Sequence, residues 1–247
     1  MSLNRKEGKT MKKSLVSIIE KIERLDPLTD AEKMEYIQYS ITEHEGKLAG
    51  IPSISTSCMG NPYCKARSEN PDLICYYCYA MTYCDYRKSL KNKLYLNTLF
   101  YCNYDIPEKA VPLINALYFR FESFGDLINT RQFKNYCTIA KVNGFHAALW
   151  TKNCFIIAKA IHEGVKIPDN LKIINSLSRI NQTLTKDVYR QRKNKYPFIN
   201  ALFAVYDPGY IQENKVNINC GGKSCRECGY KCYLKNNRTT LIREKLK

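Results

Sequence analysis

Twelve cysteines occur in this chain of 247 residues, and their spacing is its clearest chemical signal. Near the C-terminus four of them follow the pattern C-x4-C-x2-C-x3-C, with three glycines in between. Four thiolates at such intervals can close a tetrahedral zinc site or hold an iron–sulfur cluster, and the glycines let the backbone fold tightly around a small inorganic centre. The predicted ligands of this centre are Cys220, Cys225, Cys228 and Cys232.

A second group of cysteines lies nearer the N-terminus, where the pair Cys75-x2-Cys78 follows Cys64. A C-x2-C pair is a common ligand unit, so these three residues are predicted metal ligands. Cys58 or Cys84 could complete four ligands, whereas three protein ligands would leave the open coordination position that a catalytic metal needs. The spacing is also compatible with the two groups meeting in space and sharing one site.

The N-terminal sequence indicates a reducing compartment for these thiols. Its only apolar run, residues 15–19, is interrupted by a serine and closed by charges, which is too short for a signal peptide. No run approaches the roughly 18 to 20 apolar residues that span a bilayer. We therefore expect a cytoplasmic protein with reduced thiols and no membrane contact. Three isolated cysteines are predicted packing residues: Cys102, Cys137 and Cys154.

The elements that must position these groups alternate between strands and helices. Apolar runs typical of buried strands occupy residues 116–121, 145–150, 171–174 and 201–206, with weaker candidates near Ile54 and at 216–219. Helical periodicity marks residues 12–46, 88–100, 131–142, 154–163 and 181–193.

This alternation predicts an α/β fold of parallel strands joined by right-handed crossovers. A doubly wound sheet and a partial (β/α) barrel both match the pattern, and four well-marked units are too few for a full eight-unit barrel. We interpret residues 1–50 as an N-terminal helical cap and residues 51–219 as a cysteine-rich segment with a partial barrel. Residues 220–247 then form the four-cysteine metal-binding segment and a basic tail.

Polar residues follow each predicted strand, and ligands of parallel α/β folds bind at the carboxyl ends of the strands. Of these residues, Arg120 and Lys152 could bind phosphate or carboxylate, and Glu122 and Asp126 could act as acid and base or hold a cation. Alternatively, Arg120 and one of the two acids form a buried ion pair. Candidates for orienting a substrate are Asn129, Asn153 and Ser176, and candidates for cofactor binding are Trp150, Thr151 and Asp207.

The charge balance favours a polyanionic partner. Lysine and arginine number 39 against 23 acidic residues, which gives a formal net charge of +16. Nineteen tyrosines offer stacking faces among the basic segments. Nucleic acid is therefore the expected partner, although basic helices are also common solvated surfaces.

Other catalytic chemistries have little support in the sequence. Only three histidines are present, and none lies near another histidine or an aspartate at ligand spacing, which argues against triad hydrolysis and histidine-rich zinc sites. Neither a P-loop nor a G-x-G-x-x-G motif occurs, so a nucleotide site of those kinds is not expected.

Several segments resemble the phage gene product 88-like proteins and their relatives on mobile elements of gut bacteria. The most specific are FRFESFGDLIN at residues 119–129 and ALWTKN at 148–153. The resemblance extends from residue 51 to 233 and implies a distant relative of radical S-adenosylmethionine barrels with metal-binding cysteines, without fixing a reaction. The other segments that carry it are residues 53–57, 61–64, 74–80, 203–207 and 218–221.

Three functional hypotheses follow. The first is an iron–sulfur enzyme of a phage or mobile element that acts on a nucleotide or nucleic-acid substrate. S-adenosylmethionine is a possible cofactor without support from a motif, because the ten-residue gap before Cys75 departs from the compact C-x3-C-x2-C pattern. The second is a nonenzymatic, zinc-stabilised nucleic-acid-binding protein. The third is an adaptor that inhibits a host defence protein.

Overall fold

The computed structural model describes residues 12–234 and 241–246. Within these residues six strands form one all-parallel sheet, and the strands lie in the sheet in the same order as in the chain. The strands are β1 (Ser53–Ile54), β2 (Tyr118–Phe121), β3 (His146–Thr151), β4 (Leu171–Ser176), β5 (Ala201–Tyr206) and β6 (Leu241–Lys245). The helices are α1 (Lys13–Arg24), α2 (Asp30–Ser40), α3 (Pro62–Ser68), α4 (Tyr79–Tyr86), α5 (Lys88–Asn103), α6 (Thr130–Asn143), α7 (Cys154–His162), α8 (Lys186–Lys195) and α9 (Pro208–Asn214).

The strand order decides between the two predicted architectures. A doubly wound sheet reverses its order at a switch point, whereas sequential order keeps the crossover helices on one face of the sheet. The described strands show no such reversal. The α/β prediction is therefore confirmed, and the doubly wound alternative is wrong.

Side-chain alternation in β2 shows how the two faces of the sheet differ. Phe119 and Phe121 are fully buried in the core beneath the helices, and we call this face the outer face. Tyr118 and Arg120 alternate with them and lie on the opposite, inner face. Trp150 of β3 lies on the inner face too, because its ring contacts the Arg120 guanidinium.

The N-terminal helices belong to the helical layer over the outer face. Ile18 and Ile22 of α1 and Ile37 of α2 are buried in the same core as the strands, and α1 packs against α5. Thr29 begins α2 with a capping box, in which its hydroxyl accepts from the Glu32 N–H. These helices thus contribute to the main core of the fold.

The C-terminal segment contains the clearest departures from the sequence prediction. Residues 216–219, a weaker strand candidate, form no strand, and the sixth strand lies instead at Leu241–Lys245, within the predicted basic tail. This strand contains three charged residues, so it has no apolar run by which it could be predicted. In the fold these charges have partners, because Arg243 donates to the Leu184 carbonyl and Glu244 pairs with Lys47.

Helix α8 is shorter than the sequence predicts. Helix α8 begins at Lys186, after the N-cap Thr185, so that residues 181–185 of the predicted helix are not helical. None of the described helices is long and apolar enough to cross a membrane.

Candidate functional site

Asp126 connects the β2–α6 loop to the end of β3. Its carboxylate accepts hydrogen bonds from the Leu127 N–H at 2.8 Å, from the Lys152 N–H at 2.9 Å and from the Thr151 hydroxyl. The residue is 2% exposed, and its bonds with the Leu127 N–H and the Thr151 hydroxyl are buried. Two predicted site residues, Asp126 and Thr151, are therefore in contact, and this contact holds the loop after β2 against the end of β3.

Glu122 is a second buried carboxylate at this edge, and it too is surrounded by donors. It accepts from the Thr56 N–H at 3.1 Å, the Thr56 hydroxyl at 2.9 Å, the Gln132 amide at 2.7 Å and the Tyr136 hydroxyl at 2.5 Å. Its backbone has φ = 58°, in the left-handed region that residues other than glycine seldom adopt. Burial raises the pKa of Glu122 to about 7, against the hydrogen bonds from Tyr136 and Thr56 that lower it.

Gly125 is required by close packing between these two acids. A Cβ at this position would lie 2.6 Å from the Thr56 carbonyl oxygen and 2.7 Å from Glu122 Oε2. No side chain fits there without moving a backbone atom or the buried carboxylate. The glycine of the FRFESFGDLIN segment is thus explained by the approach of the β1 loop to the β2 loop.

Arg120 differs from the acids because it has no anionic partner. Its guanidinium lies over the Trp150 ring, 4.1 Å from the centroid, and among the described residues it forms no ion pair with Glu122, Asp126 or any other acid. The predicted buried ion pair is therefore wrong. Both acids are satisfied by neutral donors instead. The guanidinium charge acts on the thiols of Cys225 and Cys232, where it opposes the rise of their pKa values by burial.

Unpaired polar atoms concentrate around this face and the strand ends. Arg120 Nε and Ser123 Oγ come from β2 and the residues after it, and Asn175 Oδ1 comes from the end of β4. Tyr233, whose ring packs against Trp150, supplies the fourth. In the part of the chain that is described, these are the buried side-chain polar atoms without a hydrogen-bond partner. Buried polar atoms are normally paired, so such a concentration is typical of a surface that binds a polar ligand.

The first cysteine group, Cys64, Cys75 and Cys78, follows β1 in the chain, at the carboxyl edge of the sheet. Burial raises the pKa values of Cys64 and Cys75, and the charges of Asp126 and Cys78 raise both further. A hydrogen bond from the Cys58 thiol lowers the pKa of Cys78, and so do the backbone N–H groups of α4, which begins directly after it.

Lys152 lies beside these thiols. Burial lowers the pKa of its ammonium group, but the negative charges of Cys75 and Asp126 outweigh that effect, so that the pKa is raised overall. The residue directly after β3 thus provides a cation next to the first cysteine group. The structure thus relates the first cysteine group to the polar residues at the strand ends, which the sequence predicted as two separate sets.

The C-terminal cysteines cover the inner face of the sheet. Tyr230 stacks on Tyr118 with 4.0 Å between ring centroids. Cys225 donates its backbone N–H to the Lys47 carbonyl at 2.9 Å, which fixes the segment near β1 and β6. Burial raises the pKa of Cys232, and the charges of the other three cysteines add to the shift.

The two cysteine groups fit a metal centre by donor chemistry, since thiolates are the preferred ligands of zinc and iron–sulfur clusters. Their placement is less complete. Across residues 12–234 and 241–246, no three His, Cys, Asp or Glu side chains are arranged so that they could hold a metal ion. Neither predicted ligand set is therefore assembled as a metal site in the described residues, and both metal centres stay predictions.

The remaining predicted site residues serve mainly as local structural groups. Asn129 caps α6 by accepting from the Gln132 N–H at 2.9 Å, and Asp207 caps α9 by accepting from the Gly209 N–H at 2.8 Å. Asn153 donates to the Leu127 carbonyl at 3.1 Å, and Ser176 is buried at the end of β4.

A separate groove of about 1010 Å³ runs along the outer surface beside α6. Its lining includes Arg131, Lys134, Lys141 and Glu163, and Asn129 is the one predicted site residue that it touches. Neither cysteine group borders it. The candidate site is therefore the carboxyl edge and inner face, where the unpaired atoms lie.

Ser123 and Asn175 belong to the strand-end residues that the sequence predicts to share a pocket, although it gives them no role, and Tyr233 is the residue that sequence reasoning missed. Ser123 and Asn175 directly adjoin predicted strand ends, so their positions in the chain were a usable signal. Tyr233 reaches the inner face only because the C-terminal segment folds back over the sheet, which no local pattern indicates. Comparison with protein-family models, with curated proteins and with solved structures gives no match.

Proposed function

We propose that this protein is an iron–sulfur-dependent enzyme that acts on an anionic, nucleotide-containing substrate at the carboxyl edge of a partial (β/α) barrel. The observation that carries the proposal is the Arg120 guanidinium, which lies on Trp150 without a carboxylate partner. The first cysteine group and Lys152 lie at the same edge. The resemblance to the gene product 88-like proteins is in line with this combination of barrel and cysteines.

In this proposal the residues of the chain divide into two roles. Arg120 and Lys152 bind the anionic group of the substrate, and the unpaired Ser123 and Asn175 oxygens orient its polar part. The hydrogen-bond networks of Glu122 and Asp126 hold the loops that carry these residues.

The predicted centre would be held by Cys64, Cys75 and Cys78, with a second centre at the C-terminal cysteines. An iron–sulfur cluster supplies one-electron chemistry when bound. Three protein ligands would leave room for one further ligand at the first centre.

The single tryptophan of the chain makes anion binding directly measurable. Because the Arg120 guanidinium stacks on the Trp150 ring, an anion that pairs with Arg120 should change the emission of this one fluorophore. We expect a saturable change when inorganic pyrophosphate is added. Loss of one charge-assisted contact should weaken binding about 10- to 100-fold in Arg120→Met, as measured by calorimetry.

Arg190→Met is the matched control, because Arg190 is an exposed arginine of α8 that pairs with Asp187 at 2.7 Å. It should bind pyrophosphate as the unchanged protein does. The proposed anion site is wrong if pyrophosphate gives no saturable signal, or if Arg120→Met and Arg190→Met bind it equally well.

A further inference from the structure

A row of exposed tyrosines leads away from the candidate site along α4. Tyr79, Tyr83 and Tyr86 are spaced four and three residues apart, so they share one face of the helix. Tyr76 and Tyr77 precede them in the turn before α4. We call these five residues the tyrosine stripe.

The stripe is unusual because its large aromatic rings are open to solvent. Tyr86 is 83% exposed, and the other four are between 44% and 54% exposed. Five of the twelve exposed large hydrophobic side chains of the described residues belong to it. Such a concentration within one short segment marks an interaction surface, whereas single exposed apolar residues are ordinary.

Ring geometry leaves the faces of the stripe available for stacking. Tyr76 and Tyr77 meet edge to face at 74°, with 5.1 Å between centroids. Tyr79 and Tyr83 meet at 88°, with 6.2 Å between centroids. In each pair the edge of one ring contacts one face of the other, and Arg87 lies over one face of Tyr83. Flat ligand groups can stack on the remaining exposed faces.

Positive charge accompanies the rings. The Arg87 guanidinium lies 5.0 Å from the centroid of Tyr83, at the C-terminal end of α4. Arg67 of α3 lies 4.4 Å from the ring centroid of Tyr63. Residues 61–93 contain six lysines and arginines against three acids. Aromatic faces interleaved with cations suit a ligand that has both flat bases and a phosphate backbone.

We propose that the tyrosine stripe is a docking surface for single-stranded nucleic acid. A duplex presents stacked bases whose faces are covered, so it cannot use the rings in this way. An apolar peptide would gain nothing from the arginines. Tyr79 to Tyr86 spans about 10 Å of helix, which is long enough for more than one base.

The stripe also points to the substrate class of the candidate site, and this part of the inference rests on the proposed function. Tyr79 donates its hydroxyl hydrogen bond to the Ser123 carbonyl, so the stripe begins at a loop of that site. Cys78, a predicted ligand, immediately precedes α4. A strand docked on the stripe would have one end at the carboxyl edge of the sheet.

Fluorescence anisotropy with a labelled 20-nucleotide oligothymidylate tests the docking surface. We expect the full chain to bind it with an affinity that falls steeply with salt. Removal of two stacking rings in the Tyr83→Ala/Tyr86→Ala variant should weaken binding about tenfold for each ring. Tyr83→Phe/Tyr86→Phe keeps both rings and should bind almost as tightly as the unchanged protein.

Phe155→Ala is the matched control, because Phe155 is a 66% exposed aromatic residue on α7. The proposal is overturned if the double alanine variant binds like this control, or if a duplex of the same length binds as tightly as the single strand. Iron and sulfide content measured on the same preparations separates this result from the proposed function. If the unchanged protein contains iron but does not bind the oligonucleotide, the docking surface is wrong and the proposed function is unaffected. If it binds the oligonucleotide but contains no iron, the proposed function is wrong and the docking surface is unaffected.

Discussion

Asp126→Ala is expected to lower the free energy of unfolding by about 3 to 5 kcal/mol, because it leaves three donors around a buried carboxylate without an acceptor. These donors are the N–H groups of Leu127 and Lys152 and the hydroxyl of Thr151. The methyl group of alanine cannot accept a hydrogen bond in place of the carboxylate. Urea unfolding followed by circular dichroism measures the loss.

Two further variants test whether the expected loss of stability comes from the hydrogen bonds of Asp126. Asp126→Asn keeps one acceptor oxygen and should lose about half as much stability as the alanine variant. Asp187→Ala removes an exposed ion pair with Arg190 and should change stability by less than about 1 kcal/mol. An Asp126→Ala variant as stable as Asp187→Ala would contradict the connecting role of Asp126.

Glu122 is expected to make stability fall as pH rises through the weakly acidic range. Burial raises its pKa in the folded protein to about 7 from an ordinary value of 4.5. Between these two pH values the folded state binds the proton and the unfolded state releases it, so rising pH favours unfolding. The shift corresponds to about 3 kcal/mol, lost between pH 4.5 and 7 and constant above that range.

Comparison with Glu122→Gln isolates this contribution, because glutamine is neutral throughout. The stability of the unchanged protein minus that of the variant should fall by about 3 kcal/mol from pH 4.5 to 7.5. Tyr136→Phe removes a donor that lowers the pKa and should move the transition to higher pH. A difference that stays flat, or that rises with pH, would mean that the four donors dominate over burial.

Strands β2 to β5 could be predicted because each is an apolar run that is followed by polar residues. The alternation Phe119-Arg120-Phe121 also separates the two faces of β2 in advance. β6 could not be found in this way, since Arg243, Glu244 and Lys245 are charged and their partners lie far away in the chain. An edge strand with such long-range partners has no local apolar signal.

The candidate site shows the same division between local and long-range information. The positions of Glu122 and Asp126 after the predicted strand at residues 116–121 predicted that they would lie at the carboxyl edge, and they do. Their surroundings could not be predicted, because Thr56 reaches Glu122 across 66 positions of the chain and Gln132 and Tyr136 come from α6. The acids therefore bind neutral donors, and Arg120 is left without the partner that proximity in sequence suggested.

Metal and sulfide analysis after anaerobic purification tests the central claim most directly. The proposal predicts iron and acid-labile sulfide in stoichiometric amounts. It predicts clear loss of iron in Cys75→Ala and little change in Cys137→Ala, whose buried thiol lies in the main core. Stoichiometric zinc without sulfide, or equal iron in both variants, would contradict an iron–sulfur centre at the first cysteine group.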